Sequence, residues 1–220
     1  MVCIAYAGCE IFDVVLYIGR TITKLQHRIL IVDLSETGAM EITIKHGMGL
    51  DSSNEIVNYR DINYTRKIPS EQELEAFQTG VVFVIYGIKK IEEFPFPYKN
   101  INLVVNNFPH KIAKVDALMC SEINKHNNIR LLIRDIVSLD DIEIVKRLLS
   151  LSDMVEKVDY LYLDFDDNQS AVECQRKQVV RFKKISMRMK KYILEQVNDI
   201  FPKLKPRKIR KAMMSARRGV

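Results

Sequence analysis

The sequence predicts an α/β protein in which a mostly parallel sheet is covered by helices on both faces, with a long basic C-terminal helix and tail. Three observations predict it. Residues 1–35 read as a βαβ unit: an apolar strand Val2–Ala7, a short loop at Gly8, an apolar helix over about Ile11–Lys24, and a second apolar strand, Ile29–Val32, closed by Asp33. Val81–Tyr86 is apolar without interruption, as a strand buried on both faces of a parallel sheet is, and Ile101–Val105 and Ile129–Ile133 are further apolar-rich strands. Helical patterns separate these runs, and such alternation places crossover helices on the faces of the sheet.

After the first unit, Glu41–Ile44 reads as a short strand, and His46–Ser70, with Gly47, Gly49, Asp51-Ser52-Ser53 and scattered Tyr and Arg, as irregular or weakly extended. Ser70-Glu71-Gln72-Glu73 predicts a capping box that opens a short helix through Phe77, ended at Gly80. A connection with Pro95 and Pro97 leads to Ile101–Val105, and Pro109 precedes a helix over about Lys111–Ile123. Ser138-Leu139-Asp140-Asp141 opens a helix over Ile142–Leu151, and Val158–Leu163 is the last strand. Asp164–Ser170 reads as an acidic loop. One long helix is then expected over about Val172–Phe201, because Val179, Phe182, Ile185, Met189, Ile193, Val197 and Ile200 recur at three- and four-residue steps. Pro202 stops it, so the expected division is a domain over 1–201 and a basic tail over 202–220.

The 220 residues suffice for one sizeable core. No stretch reads as a signal peptide and none approaches the ~20 apolar residues of a membrane span, so a cytoplasmic location is expected, peripheral at the inner membrane face if the basic C-terminus meets lipid. Cys3, Cys9, Cys120 and Cys174 form no C-x-x-C pair, and His27, His46, His110 and His126 fall singly. Neither pattern builds a metal site or a disulfide framework, and no metal and no cofactor is expected.

The net charge of +6 conceals an asymmetry. From Ala171 onward sixteen Lys/Arg face three acids, a local net of +13, which leaves −7 over residues 1–170. Such a basic appendage points to an anionic partner. The candidates on the last helix are Arg181, Lys184, Arg188 and Lys191; on the tail they are Lys203, Lys205, Arg207, Lys208, Arg210, Lys211, Arg217 and Arg218. Ile209, Ala212, Met213, Met214 and Ala216 add an apolar patch to the tail. An anionic membrane, DNA, an acidic protein, or solvent alone all fit these charges.

The order of elements, and the spacing from the first loop to the end of the second strand, resemble the MinD/ParA family of deviant Walker P-loop ATPases. The segment Tyr17-Ile18-Gly19-Arg20-Thr21-Ile22 is similar to that family's helix with a small residue midway, and Arg28–Asp33 to its strand ending in Ile-Asp. The resemblance implies a P-loop NTPase-like fold. Its K-G-G-x-G-K-T loop, however, falls on Tyr6-Ala7-Gly8-Cys9-Glu10-Ile11-Phe12. Tyr6 stands for the signature lysine, Glu10 for a glycine, Ile11 for the phosphate lysine and Phe12 for the magnesium-binding threonine. Only Gly8 is kept in the loop and Asp33 beyond it, while Gly87 takes the place of the Walker B aspartate. A glutamate where polyphosphate sits and an isoleucine in place of the lysine remove the charge logic of a P-loop.

The resemblance therefore implies a degenerate, pseudo-ATPase member, akin to the atypical TadZ- and CpaE-like proteins. Its expected role is a scaffold or spatial-positioning factor for a membrane-associated or partition machine. Partners implied are a second copy as homodimer, an active ATPase relative, or a secretion, pilus or division component, with membrane and DNA as further targets. Two alternatives stand beside it. One is an enzyme using Glu10, Asp13 and Asp33 as an acidic crevice, against which these acids simply cap a helix and end a strand. The other is a DNA-binding partition or transfer factor.

Overall fold

The computed structural model of the protein describes residues 1–44, 56–120, 128–150 and 154–218, with the side chains of 118–120 aside. Its strands are β1 (Val2–Gly8), β2 (Ile29–Asp33), β3 (Val57–Tyr59), β4 (Ile62–Thr65), β5 (Val81–Gly87), β6 (Asn100–Asn106), β7 (Ile129–Ile136) and β8 (Val155–Tyr162). They form one sheet in the order β3-β4-β2-β5-β1-β6-β7-β8. Each neighbouring pair is parallel except the β3–β4 hairpin. Parallel pairing sends the C-terminal ends of β1, β2, β5, β6, β7 and β8 to one edge, where ligands of open α/β sheets bind.

Residues alternate between the two faces of β1, as a pleated strand requires. Ile4 and Tyr6 enter the core shared with helices α1 (Phe12–Thr23), α6 (Phe165–Lys177), α7 (Met187–Ile200) and α8 (Pro206–Arg217). Cys3, Ala5 and Ala7 enter the core under α3 (Glu71–Glu75), α4 (Pro109–Cys120) and α5 (Asp140–Leu148). Helix α1 is buried from Phe12 to Ile22, on every side, the state a helix apolar all round demands. Its Arg20, 1% exposed, donates to Asp61 Oδ2 at 2.9 Å and to the Arg60 carbonyl at 2.5 Å. Arg60 and Asp61 both have positive φ, 52° and 66°, the geometry of a two-residue hairpin turn. The capping box is present: Glu73 N donates to Ser70 Oγ at 3.3 Å and Ser70 N to Glu73 Oε2 at 2.7 Å. The Ser70 amide and then its hydroxyl, both donating to Glu73 Oε2, hold the Glu73 carboxyl below its ordinary value.

Several elements differ from the expectation. Glu41–Ile44 is not a strand; helix α2 (Ala39–Thr43) forms there, because Gly38 takes a left-handed φ of 57° and the Asp33 carboxylate receives the Met40 amide. Within the stretch read as irregular or weakly extended, the extended part is β3 and β4, which widen the sheet, while residues 45–55 lie outside the described residues. The acidic loop Asp164–Ser170 is mostly helix: Asp164 caps α6 by accepting from Asp167 N at 3.1 Å. The single long helix is two. Gln178, at φ 49°, ends α6, and Ser186 caps α7 by accepting from Met189 N. Phe182 and Ile185 are buried from the intervening loop, so their helical spacing was coincidental. The ends expected at Ile123 and Leu151 fall outside the described residues.

The stretch expected as a tail folds as α8, with Pro206 at its first turn. Ile209, Ala212, Met213 and Ala216, at i, i+3, i+4 and i+7, are buried against the core that contains α1. Four of the five apolar residues that read as a free patch are thus committed to packing, and Met214 alone of them is exposed. We expect Ile209→Ala to lower the unfolding free energy by about 2–4 kcal/mol, and Lys208→Ala, on the exposed face, to change it by less than about 0.5 kcal/mol. Urea denaturation of the full chain measures both; equal, negligible effects would mean that α8 is not docked.

Candidate functional site

The loop after β1 is built from its backbone. Gly8 has φ 114°, and a Cβ there would lie 2.1 Å from the Val104 carbonyl oxygen, which instead accepts from Cys9 N at 2.7 Å. Close approach of β1 to β6 is sufficient reason for this glycine. Next, the Glu10 side chain folds over the start of α1. Its Oε1 accepts from Ile11 N at 3.1 Å and Phe12 N at 3.2 Å, and its Oε2 from the Thr37 hydroxyl at 2.6 Å. The first amides of a helix are its anion-binding groups, and here a carboxylate of the same loop takes them.

Tyr6, Ile11 and Phe12 turn inward, 1%, 1% and 8% exposed. The Tyr6 hydroxyl has no hydrogen-bond partner among the described residues, and burial pushes its pKa far up. Asp13, 2% exposed, meets Arg134 from the end of β7 in a bidentate pair of 2.7 and 2.9 Å, and Arg134 also donates to the Glu10 carbonyl at 2.8 Å. Burial works against the Arg134 cation, but the Asp13 charge and its hydrogen bonds outweigh it and raise its pKa. Asp33 is equally occupied: Ser35 N at 3.0 Å, Ser35 Oγ at 2.5 Å and Met40 N at 3.1 Å all donate to it.

The three acids therefore do not converge. Two shallow clefts flank the loop. One of about 260 Å³ includes Glu10, Asp13, Asp135, Asp164, Asp167, Lys111 and Arg134 in its walls. The other, about 220 Å³, includes Gly8, Glu10, Ser35, Glu36, Thr37, Gly87 and Lys111. Asp33 lines neither, and among the described residues no three His, Cys, Asp or Glu are placed to hold a metal ion. The donor set does not match a magnesium polyphosphate: the amides face a carboxylate, Ile11 is core, and β5 ends in Gly87. Lys111 and Arg134 were not singled out from sequence as site residues. Their signals were positional, a cation in the first turn of a helix and another near a strand end, and neither falls in a motif.

Of the twelve basic candidates, three are engaged. Arg188 donates from Nε to the Tyr160 carbonyl at 2.8 Å and stacks 3.9 Å over the Tyr160 ring. Arg217 donates to the Lys183 carbonyl, and Lys191 faces Glu195 at 3.7 Å. Arg181, Lys184, Lys203, Lys205, Arg207, Lys208, Arg210, Lys211 and Arg218 are exposed.

This sheet order, with its helices and first loop, is the MinD/ParA-type P-loop ATPase fold. The MinD cell division protein of Aquifex aeolicus is similar to this chain with a TM-score of 0.57 at 13% identity, over 94% of this chain and 99% of its own. A plasmid partition protein of Borrelia burgdorferi B31, bound to AMPPNP, is similar at 0.56 and 10% identity, over 92% and 98%. A chain of the Aquifex aeolicus MinC:MinD cell division complex gives 0.50 at 13% identity, over 80% and 95%. No protein-family model and no curated protein matches the sequence. The likeness is one of fold.

Arg134→Met would leave Asp13 buried and unpaired, a loss expected to be about 3–5 kcal/mol. Asp13→Asn in the same chain should recover much of it. A denaturant double-mutant cycle measures the coupling, and independent, additive effects would show that the pair is not what fixes the loop.

Proposed function

We infer that the protein is a MinD/ParA-fold protein without ATP hydrolysis, a scaffold that positions or recruits components of a membrane-associated or partition machine. The observation that carries this reading is the Glu10 carboxylate on the Ile11 and Phe12 amides. A polyphosphate would have to displace it and then meet its charge. The absence of a lysine at Ile11 and of an acid at Gly87 supports the same reading. The enzyme alternative needs Glu10 and Asp33 in one crevice, and Asp33 lines neither cleft. The similarity to cell division and plasmid partition proteins supports a role in placing large assemblies. Titration calorimetry of the full chain with Mg-ATP should show no micromolar binding, and phosphate release should stay at the buffer rate. Micromolar binding with turnover abolished by Glu10→Ala or Asp33→Ala would overturn the reading.

A second, compatible reading concerns the basic surface. With its apolar stripe buried, α8 presents Arg207, Lys208, Arg210, Lys211 and Arg218 outward. It can meet a polyanion through charge but cannot insert four of its five apolar residues into lipid without leaving the core. Duplex DNA binding should then fall steeply with salt, and Lys208→Ala/Arg210→Ala/Lys211→Ala should flatten the log–log slope by about 2–3. Salt-insensitive flotation with anionic vesicles instead would favour membrane insertion of α8.

A further inference from the structure

We propose that the sheet edge formed by the loops after β6, β7 and β8 is a docking face for a segment of another protein that carries Lys or Arg beside large apolar side chains. The proposal rests on the recruiting role inferred above and names the chemistry of what is recruited. Phe108, Val137, Leu139, Leu163 and Phe165 are 52%, 72%, 56%, 61% and 79% exposed. All five follow the C-terminal ends of three adjacent strands. Neighbouring strands lie about 4.8 Å apart, so the three loops occupy a strip of roughly 10 Å across the sheet. Five large apolar groups gathered so closely differ from scattered surface apolars and mark an interaction site.

The exposure is imposed by braced turns. Val137 N and Ser138 N both donate to Asp141 Oδ2, at 2.7 and 3.1 Å. Phe108 N donates to Asn106 Oδ1 at 3.3 Å, and Leu163 N to the Ile136 carbonyl at 3.0 Å. These bonds fix the turn backbones that carry the exposed side chains, which lowers the ordering cost of binding.

Charge selects the occupant. The same turns carry Asp135, Asp140, Asp141, Asp164 and Asp166, with Glu10 on the adjacent loop. Against them stand Lys111 and an Arg134 already neutralised by Asp13. A two-fold pairing of this face with itself would set acid against acid, whereas a basic apolar segment complements it. The 260 Å³ cleft borders this face at one side, where Tyr162 and Leu163 stand beside Asp135 and Asp164. It is smaller than the ~300 Å³ at which small-molecule pockets begin, so it suits a single side chain of a docked segment.

The test uses the full chain and two labelled amphipathic helical peptides, one of Lys and Leu, the other of Glu and Leu. Fluorescence anisotropy should show the Lys/Leu peptide binding and the Glu/Leu peptide not. Asp140→Lys/Asp166→Lys and, separately, Leu163→Ser/Phe165→Ser should each weaken the Lys/Leu peptide by about tenfold or more. Should the serine pair fail to fold by circular dichroism, Val137→Ser/Leu139→Ser gives the same readout. Unchanged affinity in both classes of variant, or equal binding of the Glu/Leu peptide, would overturn the proposal. So would sedimentation velocity showing a dimer that Leu163→Ser/Phe165→Ser converts to monomer, since the occupant would then be a second copy. Measured ATP turnover would overturn the role inferred above while leaving the peptide result to stand or fall alone.

Discussion

The buried pair of Asp13 and Arg134 is the constraint on which the first loop depends. Asp13 lies in the first turn of α1 and Arg134 at the end of β7, two strands away from β1 across β6. A carboxylate at 2% exposure is tolerable only with its charge matched and its oxygens hydrogen-bonded, and the bidentate guanidinium does both. Because Arg134 also holds the Glu10 carbonyl, the backbone is fixed two residues before the helix. The Glu10 side chain is then placed over the Ile11 and Phe12 amides, an internal anion at a helix N-terminus. The same geometry that would cradle phosphate in this fold is satisfied from within the chain.

A second dependence runs through α1. A helix buried from Phe12 to Ile22 needs cover beyond the sheet, and α7 and α8 supply it. The apolar residues of α8 are spent on that cover, which leaves its cations facing out and separates the protein's two charged surfaces. The basic one lies on the outer face of α8 and the α6–α7 connection, the acidic one on the C-terminal edge of β6, β7 and β8. Arg188 serves neither. Stacked on Tyr160 and bonded to its carbonyl, it shields β8, a terminal strand of the sheet whose open backbone would otherwise invite pairing.

Strands β5, β6 and β7, the βαβ opening, the capping box at Ser70 and the fold class were legible in the sequence, because apolar-rich runs and local capping chemistry act within a few residues. Element ends set by long-range partners were not. Glu41–Ile44 became helix through Asp33 and Gly38, and in the helical rhythm over Val179–Ile185 the buried Phe182 and Ile185 proved to lie on a loop. For the candidate site, the residue types of the loop after β1 were readable one by one, but the partners of Glu10, Asp13 and Asp33 were not, since Thr37, Arg134 and Met40 come from other elements.

By itself the sequence determined the composition of the first loop, the parallel sheet with its covering helices, and the concentration of cations after Ala171. Those are properties of residue type and periodicity, available to a chain before it folds. Only the tertiary structure decided that the apolar stripe of α8 is core, that Glu10 satisfies its own helix, and that apolar and acidic side chains from three separate loops share one edge. Each of these is a pairing of distant segments, and its outcome is set by which groups remain unsatisfied once the sheet has closed on α1.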